Sequence, residues 1–530
     1  MAGHVFITQS DLTRLNCDAW LLPCDETLHI NPVWTISEDV LQQIHRLQEG
    51  EMSLPPEWGS TGVRVLPLRG STEGLEPYLV NVGGGHSTRI DWYMDGVRQF
   101  LDVVANQALI ESNPTGRMKP LVGMPLVGVG LGGASKVKGA VVRTLIEFLH
   151  QAVESREIDI ALVVKDEPAF IAVQNARRQY LANPGRSAPN TSWLELSQRL
   201  VLEAERLAAH AAVGRLVLFV GAGVSQGAAL PNWRELLEGL AEDAGMSSQE
   251  RKALERLHSL DRALIIQHRL EARGTTIGQA VSNRIDSGRF SLAHSLLASL
   301  PVGEVVTTNY DCLFEEASVA ANRKVAVLPY EAAIGQSRWL LKLHGSVTHP
   351  DDIVLTREHY LRYADRRAAL GAIVQALLIT RHMLFVGFSL TDDNFHRIVD
   401  DVRKVVRSTS ERGTVSPFGS ALLVKSDDLL EELWRDDLHL VSMEGKGYFE
   451  ASDQARQLDV FLDLLVSESV HGNSPLLDPA YDGILSDEER EIRELLENLE
   501  VGASEAARQS TAWVPIGELL KKLGRTDLKS

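Results

Sequence analysis

The chain has 530 residues, of which 44% are apolar and 23% charged, and its formal net charge is −18. A single hydrophobic core stops growing at roughly 250 to 300 residues, so this length predicts two or three globular domains. The acidic balance argues against nucleic acid as a partner, because a protein that neutralises phosphates needs clustered lysines and arginines.

The N-terminus and the cysteines indicate the cellular compartment in which the protein resides. Residues 1–8 lack the basic segment and long apolar stretch of a secretory signal, and no apolar run reaches the roughly 18 residues that span a bilayer. The three cysteines, Cys17, Cys24 and Cys312, are too few for a disulfide framework or a four-cysteine zinc site. We therefore expect a cytoplasmic protein that binds no membrane.

The first part of the chain alternates apolar runs with segments of helical periodicity. The runs that predict strands are 4–8, 18–23, 62–68, 78–82, 120–127 and 159–164, and the predicted helices are 91–111, 137–155 and 167–180. This alternation is typical of an α/β domain with a largely buried sheet. Residues 183–190 (Asn-Pro-Gly-Arg-Ser-Ala-Pro-Asn) break periodic structure and predict a domain boundary, after which Thr191 or Ser192 caps a helix that runs from Trp193 to Ala211.

A second α/β pattern follows this boundary. Its predicted strands are 215–220, 304–307, 325–328, 339–343, 382–386 and 419–424, and its helices begin near Trp233 and cover 248–300, 361–379 and 392–407. Short loops between such elements predict an open parallel sheet. Beyond a helix at 453–466, a segment rich in serine, proline and glycine leads to a last helix at 486–499. The predicted domains are therefore 1–182, 191–466 and 467–530, the third being a short helical C-terminal appendage.

Two loops of the second domain bring glycines or paired polar residues to the end of a strand. The first strand is followed by Gly221, Ala222, Gly223, Val224 and Ser225. Such glycines allow backbone N–H groups to approach a pyrophosphate, although a glycine turn also serves tight packing alone. Asn309 and Asp311 follow the second strand; taken alone, this pair predicts an Asx turn that caps the next helix.

Two further loops complete the set. His344 and a following glycine end the strand 339–343, which places a titratable imidazole at the carboxyl end of the sheet. Gly387 and Ser389 follow the strand 382–386. Ligands of open α/β sheets bind at this edge, so the four loops predict one shared crevice.

In this order the four loops resemble those of the sirtuin family, over residues 216–423. The resemblance implies a Rossmann-like parallel sheet that binds NAD. It also implies that the cofactor phosphates are held by Gly221, Ala222, Gly223 and Ser225. It further implies that Asn309 and Asp311 orient the nicotinamide ribose, that His344 is the base, and that Gly387 and Ser389 contact the adenosine side.

The chain departs from zinc-containing sirtuins, which carry two cysteine pairs after the catalytic histidine. No cysteine follows Cys312, and the segment between His344 and Gly387 is too short for a zinc module and a helix. The chain instead resembles the zinc-free bacterial sirtuin-like domains of antiviral defence proteins, including in the stretch 352–360. That resemblance implies an enzyme, an NAD glycohydrolase that takes NAD as its substrate, needs no metal, acts as a gated antiphage effector and forms homo-oligomers.

The N-terminal domain resembles the macro domains in residues 10–25 and in the glycine-rich segment 125–133. This resemblance implies a smaller α/β macro-like domain that binds an ADP-ribose-type signal or a phage component. Pro23, Cys24 and Asp25 replace the family's asparagine-rich loop, which argues against hydrolysis of ADP-ribose adducts. A scaffold that only mediates contacts between copies of the chain is an equally open interpretation.

Three other functions fit the sequence less well than NAD hydrolysis. A module that binds NAD or ADP-ribose without catalysis has no need of Asn309 and His344 beside the ribose. Lysine deacylation is disfavoured by the missing zinc cysteines. A dinucleotide dehydrogenase requires a substrate domain that the sequence pattern does not supply.

Overall fold

In this computed structural model the described residues are 2–34, 36–59, 62–68, 76–83, 89–106, 115–129, 134, 137–182, 193, 195–285, 288–409, 417–443, 451–470 and 474–525. The chain divides into two compact units. Unit 1 comprises Met1–Glu195 and Val470–Ser530, and unit 2 comprises Leu196–Ser469. The chain thus leaves unit 1 once and returns to it near the C-terminus.

Unit 1 is built on a six-stranded sheet with the strand order β1-β6-β5-β2-β4-β3. Its strands are β1 Val5–Gln9, β2 Ala19–Cys24, β3 Val65–Pro67, β4 Glu76–Asn81, β5 Leu121–Pro125 and β6 Asp159–Val164. All neighbours pair in parallel except β3, which runs antiparallel to β4. Strands β1 and β6 are buried along their whole length, as continuous apolar runs in a covered parallel sheet require.

The α-helices of the N-terminal part of unit 1 are Glu38–Gln48, Ile90–Asn106, Lys138–Ser155 and Glu167–Ala182. The last three match predicted helices, whereas Glu38–Gln48 was not predicted. The predicted start of the helix Trp193–Ala211 is wrong, because the helix is Gln198–Ala212 and lies in unit 2. Its cap is Ser197, whose side chain accepts a hydrogen bond from Leu200 N. Residues 130–133 of the glycine-rich segment and residues 183–190 lie outside the described residues.

The C-terminal segment of unit 1 is helical. Its α-helices are Asp487–Gly502, Glu505–Arg508 and Val514–Lys522, and its 3₁₀ turns are Pro479–Ile484 and Thr511–Trp513. The first turn packs closely on helix Lys138–Ser155, since a Cβ on Gly139 would lie 2.8 Å from Gly483 N. The segment therefore shares the core of unit 1.

Unit 2 is built on a seven-stranded, wholly parallel sheet with the order β13-β12-β11-β7-β8-β10-β9. Its strands are β7 Leu216–Val220, β8 Glu304–Thr307, β9 Ala326–Leu328, β10 Trp339–Lys342, β11 His382–Val386, β12 Gly419–Leu423 and β13 Leu438–Ser442. Six of them match predicted strands to within one or two residues, and β13 was not predicted. The chain leaves β7 toward β8 and leaves β11 toward β12, so the topological switch point lies between β7 and β11.

The α-helices of unit 2 are Gln198–Ala212, Trp233–Asp243, Ser248–Leu254, Ser259–Glu271, Ile277–Arg284, Leu292–Ser299, Leu313–Ala320, Arg357–Leu361, Tyr363–Thr380, Asp393–Thr409, Asp428–Trp434 and Ala451–Ser469. Separate N-caps at Ser247, His258, Thr276 and Ser291 divide the predicted helical block 248–300 into four helices. Each cap side chain accepts a backbone N–H of the first turn and so begins a new helix.

An aromatic cluster supports one end of the sheet in unit 2. The ring centroid of Phe219 lies 4.5 Å from that of Phe388 and 5.4 Å from that of Phe395, and Phe395 packs on the buried Trp434. Phe388 belongs to the loop after β11, so burial of its ring fixes that loop against the sheet.

Among the described residues, no helix is both long and apolar enough to cross a membrane.

Candidate active site

The four loops that the sequence singled out follow four adjacent strands, β11, β7, β8 and β10. Their carboxyl ends open into one cavity of about 780 Å³ within unit 2. Of the nine predicted site residues, eight line this cavity: Ala222, Gly223, Ser225, Asn309, Asp311, His344, Gly387 and Ser389. The ninth, Gly221, immediately precedes this lining and is not part of it. The structure therefore brings the predicted residues together at the switch point of the sheet, where open α/β folds bind ligands.

The glycines of the first loop let it approach the loop after β11. Gly221 N donates to Val386 O and Gly223 N donates to Gly387 O, each at 2.9 Å. A Cβ on Gly221 would lie 2.4 Å from Gly387 O, and a Cβ on Gly387 would lie 2.5 Å from Val224 N. Gly387 also has a φ of +65°, which favours glycine. These glycines thus serve close contact between two loops, and their predicted contacts with phosphates stay a prediction.

Ser225 joins the loop after β7 to the loop after β8. Its hydroxyl lies 2.9 Å from Asp311 Oδ2 and accepts a hydrogen bond from Asn309 Nδ2 at 3.1 Å. Asp311 Oδ1 accepts from Leu313 N at 3.1 Å, so the capping role expected of an Asx turn is also present. Because Nδ2 of the buried Asn309 bonds Ser225, its Oδ1 is the amide atom left without a partner. One amide oxygen is therefore available to a bound molecule.

His294, which the sequence reasoning missed, fixes this arrangement from behind. Its Nδ1 lies 3.3 Å from the backbone N–H of Ser291, which donates to it, and its Nε2 lies 3.4 Å from Ser225 Oγ. The acceptor role of Nδ1 places the hydrogen of the neutral ring on Nε2, which then donates to Ser225. Burial lowers the pKa of this fully enclosed imidazole to about 4, so the ring is neutral near pH 7.

A buried lysine holds the backbone of the second loop. Lys342 Nζ donates to the carbonyl oxygens of Tyr310, at 3.3 Å, and Asp311, and it pairs with Glu315 at 2.8 Å. Lys342 is fully buried at the end of β10. Because a buried ammonium needs several acceptors, its position restricts the loop that carries Asn309 and Asp311.

His344 lies in the loop just after β10 and is only 4% exposed. Burial lowers the pKa of the imidazole; the nearby Asp392 opposes this effect and Arg367 adds to it. The ring meets Tyr360 and Tyr363 edge to face, with centroids 5.5 Å and 6.0 Å away. The environment therefore holds a neutral imidazole beside the cavity, as a base requires.

The sequence reasoning also missed Asp392, which lines the cavity together with Thr391 and Tyr360. Asp392 follows the Gly387 loop and precedes helix Asp393–Thr409. An acidic residue just before a helix is a recognisable N-cap signal. Its proximity to His344, however, depends on the pairing of distant strands.

Trp233 lies at another part of the cavity. Its side chain is half-buried and lines the cavity with Leu230 and His258. This part of the lining comes from the helices between β7 and β8.

Among the described residues, no group of three or more histidine, cysteine, aspartate or glutamate side chains is placed to hold a metal ion.

Residues 303–442 match the family model described as a SIR2-like domain. This segment contains Asn309, Asp311, His344, Gly387 and Ser389, so the predicted resemblance to sirtuins is confirmed there. The match also covers strand β13, which the sequence reasoning did not identify.

Curated relatives match over a similar length. The chain is 31% identical over 206 residues to NAD(+) hydrolase ThsA of Enterococcus faecium, which covers 37% of this chain and 41% of the relative. It is 29% identical over 205 residues to NAD(+) hydrolase ThsA of Bacillus cereus, again 37% and 41% of the two chains. Defense-associated sirtuin 2 of Bacillus subtilis is 27% identical over 206 residues, 37% of this chain and 20% of that protein. The chain thus matches less than half the length of these relatives.

Two macrodomains of Oceanobacillus iheyensis are among the solved structures that match part of this chain. A mutant with ADPR gives a TM-score of 0.24 at 12% identity and covers 33% of this chain and 91% of that one. The macrodomain with ADP gives a TM-score of 0.25 at 13% identity and covers 33% and 90%. Scores this low do not establish a common fold, and the macro-like interpretation of residues 1–182 stays a prediction.

Proposed function

We propose that this chain is an NAD hydrolase that releases nicotinamide and ADP-ribose, in linear or cyclised form. The observation that carries the proposal is the placement of a buried neutral imidazole, His344, and a buried amide with one unpartnered oxygen, Asn309, in the lining of one cavity. Both residues lie in the segment that matches the SIR2-like domain. The names of the relatives from Enterococcus faecium and Bacillus cereus support the same reaction.

The proposed reaction needs few groups. Nicotinamide is bound to the sugar as a cation and leaves with the electron pair of the glycosidic bond, so the main task is to stabilise an oxocarbenium-like sugar and supply water. Water forms the new bond to the anomeric carbon and loses its proton to the imidazole of His344. Asn309 Oδ1 accepts a hydrogen bond from the water or a ribose hydroxyl, and Asp311 holds the ribose by a charge-assisted hydrogen bond.

In the cell, we propose that this activity depletes NAD as a gated antiphage response, in the cytoplasm and in a homo-oligomer. The name of the Bacillus subtilis relative supports a role in defence. Gating is expected because an unregulated NAD hydrolase harms its own host. An activator then has to bind the active form more tightly than the inactive form.

Unit 1 is the proposed site of that activator, an ADP-ribose-type nucleotide or a phage component. Strands β2 and β4 pair up to Cys24 and Asn81, at the carboxyl edge of the sheet. Both side-chain atoms of Asn81 are buried without a hydrogen-bond partner. Calorimetric titration of the full chain carrying His344→Ala with ADP-ribose and its cyclic form tests this idea; absence of heat with both ligands would contradict it.

The test of the enzyme is NAD consumption by the purified chain, with nicotinamide release followed by chromatography, alone and with ADP-ribose-type ligands or infected-cell extract. We expect turnover by the wild type and a loss of at least about a hundredfold in His344→Ala and Asn309→Ala. The matched control is His349→Ala, which removes an exposed histidine stacked on Tyr330 outside the cavity and retains turnover. NAD binding without cleavage under every condition would favour a non-catalytic sensor.

A further inference from the structure

Asp392 uses its two carboxylate oxygens for different tasks. Oδ1 accepts from Phe395 N at 2.9 Å and so caps helix Asp393–Thr409. Oδ2 accepts from the hydroxyl of Tyr360 at 2.7 Å and lies 3.6 Å from Nε2 of His344. A residue that served only as a helix cap needs one oxygen, whereas the second oxygen of Asp392 is directed to Tyr360 and the imidazole.

The surroundings of His344 make this contact consequential. The imidazole and the carboxylate of Asp392 are 4% and 12% exposed, and charges act strongly where water is excluded. A distance of 3.6 Å exceeds that of a hydrogen bond but places Nε2 directly in the field of the carboxylate. A lone pair on Nε2 would face negative charge, whereas an N–H there is attracted to it. The field therefore favours the tautomer with its hydrogen on Nε2.

We propose that Asp392, itself held by Tyr360, is a positioning residue for His344: it keeps the hydrogen of the neutral ring on Nε2 and leaves Nδ1 as the nitrogen that accepts the proton. The step rests on the proposed NAD hydrolysis. As the C–N bond to nicotinamide breaks and water bonds to the sugar, the proton of water passes to Nδ1, and the carboxylate stabilises the resulting imidazolium.

Other charged and titratable groups also face the ring. Arg367, from helix Tyr363–Thr380, opposes the effect of Asp392 and lowers the pKa of His344. The rings of Tyr360 and Tyr363 pack against the imidazole, and burial raises the pKa of both phenols, so they stay neutral near pH 7. Asp392 is thus the group that favours a charged imidazole among those that set its pKa.

The first test is ¹⁵N NMR of the full chain labelled at histidine, with the His344 signals assigned from their absence in His344→Gln. The variant is Asp392→Asn, whose side-chain oxygen retains the helix cap while the charge is lost. We expect hydrogen on Nε2 in the wild type, and in the variant a mixture of tautomers and a lower pKa. Asp393→Asn, which removes the same charge from the next residue, is the matched control and leaves the tautomer unchanged. Hydrogen on Nδ1 in the wild type, or an unaltered ring in Asp392→Asn, overturns the proposal.

The second test is the pH profile of kcat/KM for NAD. In Asp392→Asn we expect kcat to fall at least about tenfold with little change in KM, and the acid limb to move to lower pH. Tyr360→Phe removes the hydroxyl that holds this carboxylate beside the imidazole, so we expect a smaller shift of the acid limb in the same direction. A uniform loss without a shift of the limb means that Asp392 acts only as a helix cap. A wild type without turnover both alone and with the ADP-ribose-type ligands and infected-cell extract contradicts NAD hydrolysis, while the NMR result still decides whether Asp392 sets the tautomer of His344.

Discussion

The hydroxyl of Ser225 lies 2.9 Å from the carboxylate of Asp311, although the two residues are 86 positions apart. Ser225 accepts from His294 and Asn309, so its own hydrogen is directed to Asp311. One hydroxyl thus sets the orientation of the carboxylate and of the amide. The serine of a glycine loop, expected from resemblance to hold phosphate, here joins two loops of the site.

Replacement of Ser225 by alanine removes an acceptor from Asn309 and a donor from Asp311. Since a hydrogen bond to a charged group contributes about 1.5–3 kcal/mol, we expect kcat/KM for NAD to fall roughly tenfold to a hundredfold. Ser282→Ala is the matched control, because that hydroxyl donates to Val347 O outside the cavity lining. Equal activity of the two variants contradicts the role of Ser225.

The four loops were predictable because each one is a local signal at the end of an apolar strand. Glycines or polar residues that follow a buried strand lie at the carboxyl edge of a parallel sheet, whatever the order of the strands. Eight of the nine predicted residues accordingly line the cavity. The order β11-β7-β8-β10, which makes the loops adjacent, was not readable from the sequence.

The residues that sequence reasoning missed act through contacts between distant elements. His294 belongs to the capping box of its own helix, and its Nε2 also contacts the hydroxyl of Ser225, which is 69 positions away in the sequence. The sequence around Asp392 predicts a helix cap, and the sequence around Tyr360 predicts a short helix. Neither pattern indicates that the residue lies beside a histidine. Such roles depend on tertiary packing, which periodicity and propensity do not encode.

Gly387 is expected to be the most sensitive glycine of the site. Alanine there combines a φ of +65° with a Cβ only 2.5 Å from Val224 N, so the loops after β7 and β11 have to separate. We expect the melting temperature to fall and NAD affinity, measured by calorimetry, to be lost. Gly335→Ala is the control: its φ is +77° but no atom lies within 4 Å of the added Cβ. That variant bears only the backbone strain, about 1–3 kcal/mol, and retains NAD binding. A similar loss of NAD affinity in the two glycine variants contradicts a role for the contact between the loops.

Lys342 and Glu315 form a buried pair in which the loss of one partner is costly. The Lys342 side chain is fully buried and that of Glu315 is 15% exposed, with 2.8 Å between Nζ and Oε1. Lys342→Met leaves a carboxylate in a dry site, and we expect the free energy of unfolding to fall by about 3–5 kcal/mol. The double variant Lys342→Met with Glu315→Leu removes both charges and recovers much of this loss. Denaturant titration compares the two, and equal stability of the single and double variants contradicts the pairing.

The buried His294 makes stability depend on pH. Burial lowers its pKa in the folded chain from 6.5 to about 4. Between these values the unfolded chain binds more protons than the folded chain, so the contribution is fully present above pH 6.5 and is lost as the pH falls toward 4. One such group changes the free energy of unfolding by at most about 1.4 kcal/mol per pH unit.

His294→Gln removes this titration and is expected to flatten the dependence. The variant has a lower melting temperature than the wild type at pH 7.5, because its contact with Ser225 is altered, but it loses fewer degrees between pH 7.5 and 5. Some dependence remains, since burial also lowers the pKa of His382 to about 4. His349→Gln, at an exposed position, is the control and retains the dependence of the wild type. Scanning fluorimetry of the full chain at both pH values measures the difference in melting temperature. If the melting temperature of His294→Gln falls as much as that of the wild type, the ring of His294 is already charged in the folded chain.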